Sequence, residues 1–373
     1  MTGALIVIIG IIAMVMIHEA GHFVAAKAFG MKATEFFFGF GPKLWSTQRG
    51  ETEYGIKAIP LGGYVRIIGM NPFEEVTAEE EERTYRRAKF WQKAVVVLAG
   101  VGSNFAVAFV ILYFVAAVIG EPDTDAPLPI VAGVVVETAQ GQQTAASAAG
   151  LREGDLFVEV NGTNIDDWDQ LVDILHAAPN EEVDLVIERD GKTLELVTTL
   201  TSRFNADSGQ NEGFLGVSPQ YVVLRDNPAA ALVTAGDQMG VLVAESTKGM
   251  WTLVSGIGGL VSGVISGEDV GENQARPLSP IGIARLGAES EAVGLDLTLT
   301  IVAWFNVFVG LLNVLPIYPL DGGHFSVALY EKVVGRRADV RKLAPIAAAV
   351  VIFLVLLGVL GIYLDIVDPL NLS

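Results

Sequence analysis

Residues 3–28 read GALIVIIGIIAMVMIHEAGHFVAAKA, an apolar run whose far half is interrupted by His18, Glu19 and His22. A bilayer crossing takes roughly 20 residues at 1.5 Å rise each, so the run is long enough to span. It lacks a basic leader and a small-residue cleavage site, and therefore reads as a retained helix rather than a signal peptide. His18-Glu19-Ala20-Gly21-His22 is an H-E-x-x-H pattern. On a helix, positions i and i+4 share a face, so both imidazoles can ligate one metal while Glu19 points at its open position. Zn2+ held in this way lowers the pKa of bound water toward 7, and an adjacent carboxylate can take the proton. Five residues with three fixed form a weak pattern by themselves. Two histidines and a glutamate inside an apolar span are costly unless they act, which weighs against a merely structural hydrogen-bond cluster.

Three further stretches are long and apolar enough to span: 94–119, 297–315 and 343–367. The composition agrees, with 51% hydrophobic residues, 18% charged residues and a mean hydropathy of +0.47. Such a chain is too apolar for disorder or for a soluble enzyme of 373 residues, and its net charge of −19 excludes a nucleic-acid partner. The absence of cysteine rules out disulfides and thiolate metal sites. Residues 27–93 carry 11 basic residues, and Lys332, Arg336, Arg337, Arg341 and Lys342 cluster between the last two spans. Residues 120–297 carry 8 basic and 28 acidic residues. By the positive-inside rule, both termini and the long acidic segment lie outside.

On the inner side, 30–92 shows alternation, aromatic residues and glycine punctuation, which predict paired strands turning near Arg49-Gly50 and associated with the membrane. Outside, Val131–Val136 reads as a strand and Asp166–Ala178 as an amphipathic helix. Val183–Arg189 and Thr193–Thr199 flank the hairpin signal Asp190-Gly191. The run Ala148-Ala-Gly-Leu-Arg-Glu-Gly-Asp-Leu-Phe-Val-Glu-Val-Asn-Gly162 resembles the PDZ family, whose domains bind extended peptides at a sheet edge. A size filter or spacer is the plainer role for such a unit.

Two histidines leave a catalytic zinc site incomplete. The polar groups near another span's end are in Asn313-Val-Leu-Pro-Ile-Tyr-Pro-Leu-Asp-Gly-Gly-His324, where Asp321 and His324 both qualify as the third ligand. His18 and His22 lie roughly 23–29 Å into the first helix, near its inner end. Asp321 can meet them only if the first and third spans run in the same direction. The apolar stretch 239–265 should therefore not cross, and is expected as an external amphipathic or membrane-lying helix.

Taken together, these elements resemble the bacterial site-2 proteases, the intramembrane zinc metalloproteases of regulated intramembrane proteolysis. The family's H-E-x-x-H falls on His18, Glu19 and His22. Its N-x-x-P…L-D-G element falls on Asn313, Pro316, Leu320, Asp321 and Gly322. The β region at Gly39–Gly63, the inserted PDZ domain and Ser279-Pro-Ile-Gly-Ile-Ala also match, so the resemblance covers nearly the whole chain. Tyr318 stands where relatives often have proline, and one PDZ copy is evident where some relatives carry two.

The resemblance implies an α-helical polytopic membrane protein of four transmembrane helices, with a membrane-associated β region and an inserted α/β PDZ domain. Its parts would be helix one with the H-E-x-x-H (1–29), the cytoplasmic-side β region (30–92), helix two (93–120) and the extracytoplasmic PDZ domain (121–203). A linker with an amphipathic helix (204–296), helix three with Leu320-Asp-Gly-Gly-His324 (297–324), and a basic cytoplasmic loop with helix four (325–373) would follow. It further implies Zn2+ as cofactor with His18, His22 and Asp321 as ligands, Glu19 as general base and later proton donor, and Asn313 on the substrate or developing oxyanion. His324 becomes an outer or structural residue. Hydrolysis would fall within or beside the transmembrane segment of single-span proteins, such as anti-sigma factors already shortened by an upstream site-1 protease, or remnant signal peptides. The setting would be the lipid bilayer of the bacterial cytoplasmic membrane, with the active site near the cytoplasmic side. The alternatives are a membrane PDZ scaffold or quality-control factor with a structural metal, a zinc transporter, and an H-E-x-x-H protease using Glu331 as third ligand.

Overall fold

The computed structural model describes residues 2–71, 74–137, 141–205, 209–266 and 276–367. Two compact units emerge: Gly120–Arg225, and the remainder on either side of it. Among the described residues, four helices of the second unit are long and apolar enough to cross a membrane: Thr2–Ala28 (α1), Phe90–Ile119, Leu295–Val314 and Ala344–Val367.

The α1 helix ends at Gly30, whose φ of 74° lets the chain reverse into a long hairpin, Ala33–Arg49 (β1) and Thr52–Ile67 (β2). Glycines 39 and 41, with φ of 86° and 82°, bend β1 so that its two halves pair separately. Residues 35–38 lie between 53–56 on one side and 63–66 on the other, while 43–49 pair with 52–57. The hairpin is thus a four-run sheet whose edge run, 63–67, lies against α1. There Gly63 leaves room for Met16, since a Cβ would come within 2.8 Å of the Met16 sulfur. Glu51 at the hairpin turn accepts from Lys27 and Arg83, and these cations hold its carboxyl down to about 2. The following helix, Phe90–Phe114 (α2), continues as a π turn to Ile119. It returns antiparallel to α1: Ser103 Oγ donates to Ile17 O (3.2 Å), whereas Gly21 abuts Ala99 and Gly100. Glycines at the crossing allow this approach, as is usual between membrane helices.

In the unit 120–225, the elements in chain order are Glu121–Val134 (β3), Ala145–Ala149 (α3), Leu156–Val160 (β4), Thr163–Asn164 (β5) and Trp168–His176 (α4), then Glu182–Arg189 (β6), Lys192–Thr199 (β7), Thr201–Asn205 (β8), Gln210–Phe214 (β9) and Val217–Leu224 (β10). The main sheet has the order β10-β3-β4-β6-β7, with β5 on β4, and β8–β9 form a separate hairpin. Alternate residues Val183, Leu185 and Ile187 of β6 turn inward onto Phe157, Leu171 and Leu175. Asp190 and Gly191, both at positive φ, make the expected tight β6–β7 turn. Thr144 caps α3, and Gly150 ends it in the left-handed conformation. The fully buried Asp155 then accepts from Arg152 N and bidentately from Arg189. This unit ends at Arg225, not at 203 as the sequence reading had it, because β10 closes the sheet by pairing with β3. That pairing joins segments more than eighty residues apart with no hairpin signal between them.

The described residues of 204–296 are accordingly more than a linker with one helix. Pro228–Ser266 forms one 39-residue helix (α5) and Pro280–Val293 another (α6). Ala235, Met239, Leu242 and Val243 of α5 pack on Ala108 and Leu112 of α2 and on Ala303 and Val307 of Leu295–Val314 (α7). The expected external helix therefore leans on two of the spans, and its charged pair Glu245–Lys248 faces outward. Asp321–Val334 (α8) replaces most of the expected basic loop, followed by Ala344–Val367 (α9). Buried Asp365 near the end of α9 ties it to α6 by accepting from Ser279 N, Gly282 N and Arg276.

Candidate metal centre

The direction of α7 follows from its contacts. Gly10 of α1 abuts Val302, and the chain beyond α7 brings Asp321 to His18 and His22, so contacts advance along both helices together. The two helices run in parallel, as a site shared between the late turns of α1 and the chain just beyond α7 requires. A turn at Leu315–Leu320 and two glycines then place Asp321 at the first position of α8. A Cβ on Gly322 would stand 2.1 Å from Val314 O, and one on Gly323 would stand 2.5 Å from Tyr318 N. Only glycine lets α8 start so close beneath α7.

His18 Nε2 and His22 Nε2 are 3.1 Å apart, and each is 3.2 Å from Asp321 Oδ2. Among the described residues this is the group of histidine and carboxylate side chains that could hold a metal ion. His22 Nδ1 donates to Val96 O at 2.8 Å, which leaves Nε2 of the neutral ring as a bare lone pair. That lone pair faces a carboxylate oxygen in a buried site, an arrangement that repels unless a cation sits among the donors. Tetrahedral Zn2+ with bonds of about 2.0–2.1 Å separates its donors by roughly 3.3 Å, so the observed triangle fits the ion. Glu19 is half-buried on the next position of α1, and its Oε2 accepts from Val65 N of the β2 edge at 2.9 Å.

The other candidates separate cleanly. His324 packs its ring on Tyr318, 4.8 Å between centroids, and is not among the three converging groups. Glu331 is engaged by Lys93 at 2.9 Å and by Ala338 N, away from the histidines. Asn313 sits half-buried on the last turn of α7 and takes no part in the triangle. Sequence reasoning missed three groups: the Val96 carbonyl, the Val65 amide, and Gly100, where a Cβ would lie 2.3 Å from His22 Nε2. The small-residue run Ala99-Gly-Val-Gly-Ser103 was the available signal for that close crossing.

A helical bundle with two buried histidines and a half-buried aspartate converging beside a glutamate is the arrangement of an intramembrane metallopeptidase. Residues 6–358 match the model of peptidase family M50, and the chain belongs to that family. Among its relatives, the zinc metalloprotease Rip1 of Mycobacterium tuberculosis is 32% identical over 411 residues, covering 100% of this chain and 98% of the relative. The putative zinc metalloprotease FN1322 of Fusobacterium nucleatum is 31% identical, covering 88% of this chain and 87% of the relative. The putative zinc metalloprotease slr1821 of Synechocystis is 29% identical, covering 98% and 94%. The PDZ domain of an SdrC-like protein from Listeria monocytogenes matches 23% of this chain and 84% of its own, at 17% identity and a TM-score of 0.18. The chain is a membrane protein and a zinc metalloendopeptidase of the site-2 protease type.

Proposed function

We propose that His18, His22 and Asp321 hold the zinc ion and that Glu19 is the proton carrier for hydrolysis of a peptide bond in or near a substrate's transmembrane segment. The observation that carries this reading is the triangle of donor atoms 3.1–3.2 Å on a side with Glu19 beside it. When bound, zinc supplies a Lewis acid that polarises the scissile carbonyl and acidifies water. The chain supplies the rest. Glu19 takes the proton from the attacking water and returns it to the leaving amine nitrogen. Val65 N–H, bonded to Glu19 Oε2, aims that carboxylate. Asn313 donates to the substrate or to the developing oxyanion.

A helical substrate hides its amides in hydrogen bonds, so it must unwind before it can be cut. Run 63–67 is a sheet edge beside the site, and an unwound segment can add to it as a further strand. Prolines introduced at positions 63 and 67, sparing Val65 whose amide aims Glu19, should impair cleavage without releasing zinc, and unchanged cleavage would refute strand addition. The unit 120–225 is read as the PDZ domain, restricting entry to single-span proteins already trimmed by a site-1 protease, with anti-sigma factors and remnant signal peptides as substrates. The setting is the bacterial inner membrane, with both termini outside and the site near the cytoplasmic face. In support, basic residues cluster at 27–93 and 332–342, while the inserted unit is acidic.

The test is purification of wild type and Glu19→Gln in mild detergent, with zinc and cleavage of a single-span substrate measured on both. One zinc in each, with cleavage by wild type only, is the expected result. Loss of zinc from wild type would refute the ligand assignment, and cleavage by Glu19→Gln would refute the role of Glu19.

A further inference from the structure

We infer that Asn104 of α2 is a positioning residue for the zinc site, its carboxamide oxygen accepting the Nδ1–H of His18 when the metal is held. The inference rests on the ligand assignment above and extends it to a residue outside the H-E-x-x-H and L-D-G elements. Asn104 is fully buried, and both its Oδ1 and its Nδ2 are without a hydrogen-bond partner. A buried carboxamide with nothing to bond carries its full desolvation penalty uncompensated. Buried polar groups inside membrane spans are retained where they act. The same helix crossing holds a second unsatisfied atom. His18 Nδ1 is buried without a partner, whereas His22 Nδ1 already donates to Val96 O. Histidines that bind a metal through Nε2 almost always donate Nδ1–H to an outer acceptor, which fixes both tautomer and ring orientation. One of the two ligand histidines has that acceptor and the other lacks it.

Register selects the partner. Gly100 of α2 lies against the His22 ring and the two helices are antiparallel, so Asn104, one turn on along α2, falls level with His18, one turn back along α1; Ser103 Oγ reaching Ile17 O at 3.2 Å marks the same crossing. On α7, a Cβ at Gly310 would lie 3.5 Å from the Asn104 Cβ and 3.1 Å from the Phe105 ring, so Gly310 is level with Asn104. Glycine there leaves the carboxamide room to turn. The other unsatisfied buried amide oxygen of these three helices, on Asn306, lies one turn before Gly310 on α7. Since Gly10 meets Val302, Asn306 is level with Met14, a turn away from His18, and its Nδ2 already donates to Val302 O. Ser103 Oγ is engaged by Gly100 O and Ile17 O. Asn104 is therefore the acceptor at the right level.

The experiment uses the full chain in detergent and reads zinc rather than activity. Zinc dissociation into a chelator is followed for wild type, Asn104→Ala, Asn104→Asp and Asn306→Ala, with thermal unfolding as the check on folding. Outer partners of metal ligands typically set affinity by 10–100-fold. Asn104→Ala should lose affinity by about that factor. Asn104→Asp, which keeps an acceptor, should restore it, and Asn306→Ala should stay at the wild-type value. Because the chain has only four histidines, 15N-histidine NMR of the zinc-loaded protein gives a direct second readout. Wild type should show two metal-bound rings with protonated, hydrogen-bonded Nδ1, and Asn104→Ala should lose that signature on one ring. Equal zinc affinity in wild type and Asn104→Ala, or an unchanged Nδ1 signature, overturns the inference while leaving the ligand set standing. A wild type that binds no zinc overturns both. If Asn104→Ala fails to fold, the His18 Nδ1 signal in wild type decides alone, and an unbonded Nδ1 there refutes the inference.

Discussion

Gly100→Ala is the substitution for which the structure forecasts the largest loss of zinc at the least cost to the fold. A Cβ at position 100 would stand 2.3 Å from His22 Nε2 and 2.4 Å from Cε1, against 3.4 Å or more for ordinary contact. Position 100 lies in the middle of α2, where alanine is favoured over glycine by about 1 kcal/mol, so the helix itself is not harmed. Relief requires the imidazole to retreat by about 1 Å. Zinc ligand distances tolerate only about 0.2 Å, so the ring cannot retreat and still coordinate. His22 is further fixed by its bond to Val96 O of α2, one turn before Gly100, and backbone there cannot yield independently. Gly102→Ala is the matched control, because a Cβ there meets nothing within 4 Å. Purified in parallel, Gly102→Ala should hold one zinc per chain and cut at the wild-type rate. Gly100→Ala should hold under a tenth as much after dialysis, with an unfolding temperature close to that of metal-free wild type. Full zinc occupancy and wild-type cleavage in Gly100→Ala would refute the placement of α2 against His22.

Four other outcomes follow from the geometry. Glu19→Gln should retain zinc and lose cleavage by roughly 100- to 10,000-fold, read as single-turnover rates. Gly322→Ala should displace Asp321, because its Cβ would meet Val314 O at 2.1 Å, and zinc affinity should fall at least tenfold in a chelator competition. Stripping zinc from wild type should lower the unfolding temperature, with the loss reaching about 4 kcal/mol relative to free zinc at a thousand times Kd. Burial alone would raise the Asp155 carboxyl, but Arg189 and the Arg152 amide hold it below the usual carboxylate range. The stabilisation from that depressed carboxyl is present above the unfolded value near 4 and disappears as pH falls through the folded one. Amide protection factors in β4 and β6, exchange rates referred to the intrinsic rate at the same pH, should therefore fall on acidification, and Asp155→Asn should produce about 1–3 kcal/mol of the same loosening at pH 7.

Some of this could be read in the residues and some could not. The four long apolar helices follow from hydropathy, because a bilayer demands a minimum length. The parallel course of α1 and α7 follows from one constraint, that His18 and His22 sit late in one span and Asp321 just past another. The Asp190-Gly191 turn is legible because both residues tolerate positive φ. The strand Val217–Leu224 was not legible, since its partner β3 lies far back in the chain and no local turn signal links them. The α5 helix was half legible: its pattern shows an amphipathic helix, but nothing in it shows that Ala235 and Met239 lie on α2 and α7. The four-run folding of the β1–β2 hairpin hinges on Gly39 and Gly41, whose spacing alone does not reveal which halves pair.

The missed parts of the site share a physical cause. Val96 O, Val65 N and Gly100 act through backbone or through the absence of a side chain, and such contributions carry no residue-type signature. Yet they decide whether the H-E-x-x-H can work. Gly21 and Gly100 bring α1 and α2 together until a Cβ on either would collide with the other helix or its histidine. That approach puts Val96 O within hydrogen-bond reach of His22 Nδ1 and thereby fixes which nitrogen carries the proton. The same α1 surface faces the β2 edge, where Val65 N–H takes Glu19 Oε2. The proposed ligand His22 and the proposed proton carrier Glu19 are each oriented by main-chain groups of neighbouring elements, and of these two groups only the Val65 N–H can be removed by substitution, by proline alone. Substitutions that spare every ligand but thicken these crossings should therefore cost zinc or rate as heavily as loss of a ligand, and Gly21→Ala, with its Cβ 2.4 Å from Ala99 O, is the case to measure. Zinc retention with normal cleavage in Gly21→Ala would show that the crossing has slack, and that the ligands alone define the site.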